Sequence, residues 1–320
     1  MPLIPSDYKA PFLLRNGHLA TIVPSTFRRV EGVNYTRERI ETPDDDFLDL
    51  DWLRSGAQSL AVISHGLEGS ARRPYVMGMA KYFHNKGWDV LAWNCRSCSG
   101  EINRQGRFYH HGETSDLRRV IEHALISNSY DTIVPVGFSM GGSMTIKYLG
   151  ENGSSLPKEV KAGVAISVPV DLAASVKEFE KGSMAFYRNR FLKKLEDKVR
   201  RKAELYPDVI EYVDFSKIRY FPDFDNAYTA PLHGFADAAD FYKRASAMNF
   251  ILGVTVPLLL INARNDPFLT ASCFPLEQAE QNRWFYLETP KRGGHVGFTL
   301  AGSEFNYMEK RAFNFVEESF

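Results

Sequence analysis

Only three cysteines occur in 320 residues, too few for the disulfide framework of a small secreted scaffold. A reducing cytoplasm is the simplest home for such a chain. Excess charge is missing too: 39 basic residues balance 39 acidic ones, so no overall field draws the protein to nucleic acid or an anionic membrane. No apolar run approaches the ~18–20 residues that span a bilayer, so no integral membrane segment is expected. The opening Met1-Pro2-Leu3-Ile4-Pro5 has neither the basic head nor the apolar core of a secretory signal. Repeats and low-complexity tracts are absent. What remains, 44% apolar and 24% charged, is the composition of a soluble globular protein, long enough for one large α/β domain or two small ones.

The pentapeptide Gly137-Phe138-Ser139-Met140-Gly141 stands between two contrasting patterns. Residues 132–136 read as a short buried strand, and 142–149 as the first two turns of a helix that Gly150 could end or loosen. A serine at such a strand-to-helix turn adopts a strained conformation that lifts its hydroxyl out of the sheet. The residues two before and two after must then be tiny, because their backbones nearly collide. The bare pattern is common; the context makes Ser139 a nucleophile.

Around this turn, strands and helices alternate. An irregular, proline-containing N-terminal arm precedes a hairpin, with residues 39–42 and 47–52 flanking the Pro43-Asp44-Asp45-Asp46 turn. Strands are expected at 60–64, 88–93, 160–168, 256–262 and 283–287. One helix carries Val76, Met79, Ala80 and Phe83 behind Pro74, another Leu117, Val120, Ile121, Ala124 and Leu125, and a last one Phe305, Met308, Ala312 and Phe315. This rhythm predicts a mostly parallel sheet covered on both faces. Pro135 sits inside a central strand, which calls for a local bulge. From 171 to 250 the rhythm breaks: Met184, Tyr187, Phe191 and Leu195 share a helical face, and Pro207, Pro222 and Pro231 mark a loop. An insertion of that length reads as a cap. The expected organisation is a core in two parts, 1–170 and 251–320, interrupted by a helical cap at 171–250.

A serine hydroxyl needs a base, and the base needs a carboxylate to hold its tautomer. In the hydrolase order serine, acid, histidine, Asp266 follows one expected strand in Arg264-Asn265-Asp266-Pro267, and His295 follows the next in Gly293-Gly294-His295-Val296-Gly297. Each alone has a plain reading, as a turn aspartate or a glycine-loop histidine. Together, at the correct strand ends and in the correct order, they point to catalysis. His65-Gly66-Leu67-Glu68-Gly69 follows the strand at 60–64, where the backbone N–H groups of Leu67 and Met140 would form an oxyanion hole. Such a donor is worth about 3–4 kcal/mol. No metal or organic cofactor is needed by this scheme.

Six segments carry a wider likeness: His65-Gly66-Leu67-Glu68-Gly69-Ser70, Arg96-Ser97-Cys98-Ser99-Gly100-Glu101, Tyr109-His110-His111-Gly112-Glu113-Thr114, Gly137-Phe138-Ser139-Met140-Gly141-Gly142, His233-Gly234-Phe235-Ala236-Asp237 and Gly293-Gly294-His295-Val296-Gly297-Phe298. With them the chain resembles the YheT-like branch of the α/β-hydrolase superfamily, from Asn16-Gly17-His18-Leu19 to the C-terminus. The resemblance implies a hydrolase or carboxylesterase using Ser139, Asp266 and His295, with relatives acting on esters of lipids. It also implies a helical cap, and a soluble form in bacteria where eukaryotic relatives add a membrane anchor. Ser97 departs from the pattern, which usually has glycine there.

Other features have competing plain readings. Cys95-Arg96-Ser97-Cys98 has redox spacing but no helix start directly after it, so packing is expected. His110, His111 and Glu113 suggest a metal, yet adjacent histidines on extended chain point opposite ways, and loop structure is expected instead. His111 and Asp116 have an acyltransferase-like spacing, but Asp116 suits the first turn of a helix. Ten basic and four acidic residues between Lys177 and Lys202 read as a solvated helix face, with attraction to anionic lipid or acyl carriers as the sharper alternative. His18, His84, His123 and His233 read as structural. The expectation is a serine carboxylesterase cleaving esters of short to medium acyl chain, with an apolar pocket lined by the cap aromatics Phe179, Phe186, Tyr187 and Phe191. An acyltransferase or thioesterase of the same fold, and a non-catalytic binding protein, are the alternatives. A small-molecule ester is the expected partner; the oligomeric state is left open.

Overall fold

The computed structural model describes residues 3–127 and 129–319. Its nine strands are β1 (Leu3–Ile4), β2 (Thr36–Thr42), β3 (Asp46–Leu53), β4 (Ser59–Ser64), β5 (Asp89–Asn94), β6 (Thr132–Phe138), β7 (Gly163–Ile166), β8 (Leu258–Ile261) and β9 (Phe285–Glu288). They form one sheet in the order β1-β9-β8-β7-β6-β4-β5-β3-β2. The β2–β3 hairpin and the β3–β5 pair are antiparallel; every other pair is parallel. The expected mostly parallel sheet is therefore present, with an antiparallel edge made by the hairpin.

Alternation along the strands splits the core in two. Leu60, Val62, Leu91, Trp93, Leu258 and Leu260 face one side, with Leu117, Val120, Ile121 and Met144. Ala61, Ile63, Val90, Ala92, Leu259 and Ile261 face the other, with Val76, Met79, Phe83, Met308 and Phe315. Strands buried on both faces read as continuous apolar runs, which is why these were legible in the sequence. The helices concerned are α1 (Gly17–Phe27), α2 (Pro74–Asn85), α3 (Ser115–Ser127) and α4 (Met140–Asn152). Between β7 and β8 run α5 (Leu172–Phe179), α6 (Ala185–Leu205), α7 (Phe221–Phe224), a π turn (Asp225–Thr229), α8 (Ala230–His233) and α9 (Ala238–Ala245). The chain closes with α10 (Leu276–Gln281) and α11 (Tyr307–Glu318).

Several boundaries differ from the expectations. The N-terminal arm contains α1, opened by the Asn16 side chain, which accepts the N–H groups of His18 and Leu19 at 2.9 and 3.2 Å. A side-chain cap of this kind supplies the first turn, and Pro24 falls near the end of the helix. Pro222 and Pro231 each stand in a helix's first turn, where their fixed φ is favourable, so this stretch is helical rather than a loop. Phe305 lies before α11. Gly150 does not end α4; a Cβ there would meet the Phe250 carbonyl oxygen at 2.0 Å, so it serves close packing. Around Pro135 the ladder is interrupted, but on the neighbouring segment: Ile133 bridges Val160, whereas Val136 pairs with Val164. One extra residue therefore lies beyond Val160. Ile133 donates to Glu159 across that junction, and by alternation the missing Pro135 N–H faces the same gap.

The turn between β6 and α4 depends on absent side chains. A Cβ on Gly137 would lie 2.1 Å from the Gly141 carbonyl oxygen, and one on Gly141 2.3 Å from the Ser64 carbonyl oxygen. Both obstacles are backbone and cannot swing aside. Gly141→Ala is expected to cost at least ~3 kcal/mol. Gly182→Ala, with open space around it, should stay within ~0.5 kcal/mol; urea denaturation of the two variants checks the contrast.

Candidate active site

Ser139 stands at φ 53° and ψ −116°, immediately before α4. That left-handed backbone is uncommon for a residue with a Cβ. It is held by the Ser139 N–H, which donates to the Ile166 carbonyl at 2.8 Å, and by the two flanking glycines. The side chain is half-buried at the carboxyl edge of the sheet.

The loops after β8 and β9 bring the other two groups to it. Asp266 follows β8 with its side chain fully buried; Oδ2 lies 2.8 Å from His295 Nδ1 and Oδ1 accepts the Phe268 N–H at 2.8 Å. A carboxylate only accepts, so it selects the tautomer with the proton on Nδ1 and leaves Nε2 a lone pair. That Nε2 lies 2.9 Å from Ser139 Oγ. Three further bonds fix the loop: His295 N–H to Thr21 Oγ1 (2.8 Å), Val296 N–H to Ser167 Oγ (2.9 Å) and Gly294 N–H to Asn265 Oδ1 (3.1 Å). The Phe268 ring packs 4.1 Å, centroid to centroid, from the imidazole. Thr21, Ser167, Asn265 and Phe268 were not anticipated. Asn265 and Phe268 flank Asp266 in sequence; Thr21 and Ser167 come from distant segments with no local signal.

Leu67 borders the same space as Ser139, and Met140 is the first residue of α4. Among the described residues neither backbone N–H has a protein acceptor. Met140 thus presents an unpaired amide at a helix N-terminus, where negative charge is stabilised. The preceding His65 is buried; its Nδ1 lies 2.8 Å from the Gly66 carbonyl oxygen and its Nε2 accepts the Cys95 N–H at 3.1 Å. That arrangement fits the neutral ring, and burial lowers its pKa from 6.5 to about 4. Chemically, an acceptor nitrogen beside a serine hydroxyl, a carboxylate behind it and two free amides nearby can support acyl transfer.

Two clefts of about 1030 and 1000 Å³, both open to solvent, meet at Ser139 and His295 and share Leu67, Phe191 and Phe268. The first runs among α5, α6, α7 and α9, walled by Val176, Phe179, Leu195, Val199, Phe221 and Phe241. The second lies between α1, the start of α6 and the turn at Arg73.

The basic stretch of α6 is not a solvated face throughout. Lys198 and Lys202 are buried and Lys194 is half-buried, because they turn toward acceptors of the core. Lys198 Nζ is 2.6 Å from Glu68 Oε1, and Lys202 Nζ donates to Asn103 Oδ1 at 2.6 Å and to the Gln105 carbonyl. Cys95 and Cys98 are free thiols, raised by burial, so packing holds. Asp116 stands in the first turn of α3 and accepts Nε and Nη2 of Arg96 at 2.9 and 2.8 Å. His110 and Glu113 find a third neighbour in His233, their ligand atoms all within 4.8 Å. Glu113 is already engaged by Arg107 at 2.9 Å and by Ser115, and the His110 Nδ1 accepts the Gly112 N–H at 3.0 Å. Ser97 adopts φ 61°, the conformation for which glycine is usual; its Oγ, 2.6 Å from Asn103 Oδ1 and accepting the Asn103 N–H at 3.0 Å, holds it there.

Residues 62–183 match the α/β hydrolase fold family, and the chain belongs to the YheT-like branch of that family. "Putative esterase YheT" of Escherichia coli (strain K12) is 36% identical over 289 residues, covering 88% of this chain and 84% of its own. "Phospholipase ABHD3" of Mus musculus is 28% identical over 298 residues, covering 89% and 72%. Among solved structures, an esterase of Pyrococcus furiosus superposes with a TM-score of 0.60 at 19% identity over 91% of this chain and 96% of that one, a likeness of fold. No helix among the described residues is long and apolar enough to cross a membrane.

Two outcomes follow from the polar groups around the site. Lys198→Met leaves the buried Glu68 without its cation and should cost ~3–5 kcal/mol; Glu68→Gln in the same chain should restore most of it, read by urea denaturation of both. The second concerns acid. A histidine lowered from 6.5 to about 4 on folding binds its proton more readily unfolded, so its contribution is complete above pH 6.5 and lost as pH falls toward 4. For His65 that is ~3 kcal/mol, and His111 and His233 are lowered to about 4 by burial in the same sense. Buried Asp225, raised from 3.8 to about 6, acts with the opposite sign, as do Asp116 and Glu309, raised by burial, but His110, lowered by burial, joins the three histidines. The urea midpoint should therefore fall between pH 6.5 and 4.

Proposed function

We propose that the protein is a serine hydrolase cleaving carboxylic esters of short to medium acyl chain. The continuous hydrogen-bonded line Asp266–His295–Ser139, at 2.8 and 2.9 Å, carries this reading. In this scheme Ser139 Oγ attacks the ester carbonyl while His295 Nε2 takes its proton. The tetrahedral oxyanion is received by the N–H groups of Leu67 and Met140. Collapse breaks the bond to the alcohol, which leaves with the proton from His295. Water, deprotonated by the same nitrogen, then releases the acid from Ser139. Asp266 orients the imidazole and stabilises its cation. Esterase and phospholipase names among the relatives support an ester substrate. Residues 171–250 are the proposed cap: their apolar side chains wall the first cleft, which suits an acyl chain.

Ser139→Ala is expected to lose at least ~10⁴-fold in kcat for nitrophenyl ester hydrolysis and to lose covalent labelling by a fluorophosphonate. Activity close to the parent's would end the proposal.

A further inference from the structure

The charged groups of the first cleft are matched within the protein. Lys198 meets Glu68 at 2.6 Å, and the two oxygens of Asp225 accept the hydroxyls of Thr229 and Tyr242, each at 2.6 Å. Three imidazoles lining the same cleft, those of His110, His111 and His233, are not matched. They belong to segments that the hydrolytic scheme does not use, Tyr109-His110-His111-Gly112 and His233-Gly234-Phe235. His110 Nδ1 accepts the Gly112 N–H at 3.0 Å, so the neutral ring carries its proton on Nε2. The closest Glu113 oxygen lies 3.9 Å from that nitrogen, too far for a hydrogen bond, although the side chain is only 9% exposed. The His233 ring packs edge to face against it, 4.6 Å between centroids. Among the described residues His111 and His233 make no side-chain hydrogen bond, and burial keeps all three rings neutral. Polar atoms so placed call for a partner. The free atom of His110 is a donor, while His111 and His233 each retain an acceptor nitrogen. A hydroxyl group, donor and acceptor at once, satisfies both kinds. An ionised group would find the counter-charges already paired, and a metal would need the lone pair that the His110 Nε2 proton occupies.

We propose that the first cleft selects an acyl chain carrying a neutral hydroxyl group, which accepts a hydrogen bond from His110 and donates one to His111 or His233. The inference rests on the hydrolase reading above and deepens it by naming the acyl half of the substrate. A site built to hydrogen-bond a substrate hydroxyl rejects the analogue that lacks it, because its own polar groups are then left unpaired.

The test uses nitrophenyl esters of octanoate, of octanoate hydroxylated on the third, sixth or eighth carbon, and of octanedioate, whose far end is a carboxylate. The parent enzyme should favour at least one hydroxylated ester over plain octanoate by ~10-fold or more in kcat/KM. His111→Phe and His233→Phe should each reduce that ratio several-fold, and together abolish it. His233→Gln, which keeps a polar side chain, should retain more of the ratio than His233→Phe. A parent ratio near one for every hydroxyl position overturns the proposal without recourse to any variant. So does a ratio unchanged in the double variant, or a preference for octanedioate over the hydroxylated chains. Calorimetric titration of the Ser139→Ala protein with the same esters reads the cleft without turnover, and tighter binding of a hydroxylated ester than of the plain one supports the proposal. Should no ester be cleaved by the parent while that difference in binding persists, the hydrolase reading fails and the hydroxyl site stands.

Discussion

The close approach of β6, α4 and the end of β4 governs this molecule. Gly137, Gly141 and Ser64 bring backbone against backbone with no room for a Cβ, and the serine between them is thereby held at φ 53°. Strain of this kind persists only where its surroundings over-determine it. Here the surroundings are two central strands paired along their length and a helix buried for most of its own. Glu68 (φ 53°), Ser167 (φ 55°) and Val296 (φ 56°) share the left-handed backbone, and each stands in a loop that touches the site. Val296 is β-branched, for which that conformation is especially unfavourable. The rigid sheet thus supports several strained loops at once, concentrated where its strands end.

Much of this was legible because it is local or periodic. Gly137 and Gly141 declare the turn, and the doubly buried strands declare themselves as apolar runs. The order of Ser139, Asp266 and His295 follows from where those strands end. Less legible were contacts between segments far apart in the chain. Thr21 holds the His295 N–H across 274 residues, and nothing near either residue announces it. The helix around Thr21 was hidden by Pro24, whose usual meaning was outweighed by the Asn16 cap. Ser97, noted for its departure from glycine, proved to adopt the conformation that glycine favours. The extra residue beside Pro135 belongs to the neighbouring segment, which a reading of one strand alone does not reach.

The helix α6 shows why composition misled. Ten basic residues on a stretch of chain suggest water on the far side, yet Arg190, Lys194, Lys198 and Lys202 recur every fourth residue and run along one side of the helix. Going down the helix, their surroundings change from an open cleft to the Glu68 carbonyl, then the Glu68 carboxylate, then the buried carbonyls near Asn103. Long aliphatic stems make that possible, since a lysine can bury its methylenes while its ammonium finds an acceptor. The two inner lysines join the segment between β7 and β8 to the core; the outer pair is left facing the space beside Ser139.

This arrangement ties α6 to the loop that carries the proposed oxyanion donor Leu67. Glu68 directly follows Leu67, and its carbonyl and carboxylate receive three cations: Arg73, Lys194 and Lys198. Glu68 itself holds a strained φ, so the position of the Leu67 amide depends on how those cations pull on its neighbour. The carboxylate tie is a buried ion pair, and removing one partner of such a pair leaves an uncompensated charge, whereas Arg73 and Lys194 hold only a neutral carbonyl oxygen. The inner members of the same stripe of cations therefore anchor the loop most firmly, while its outer members border the cleft beside Ser139.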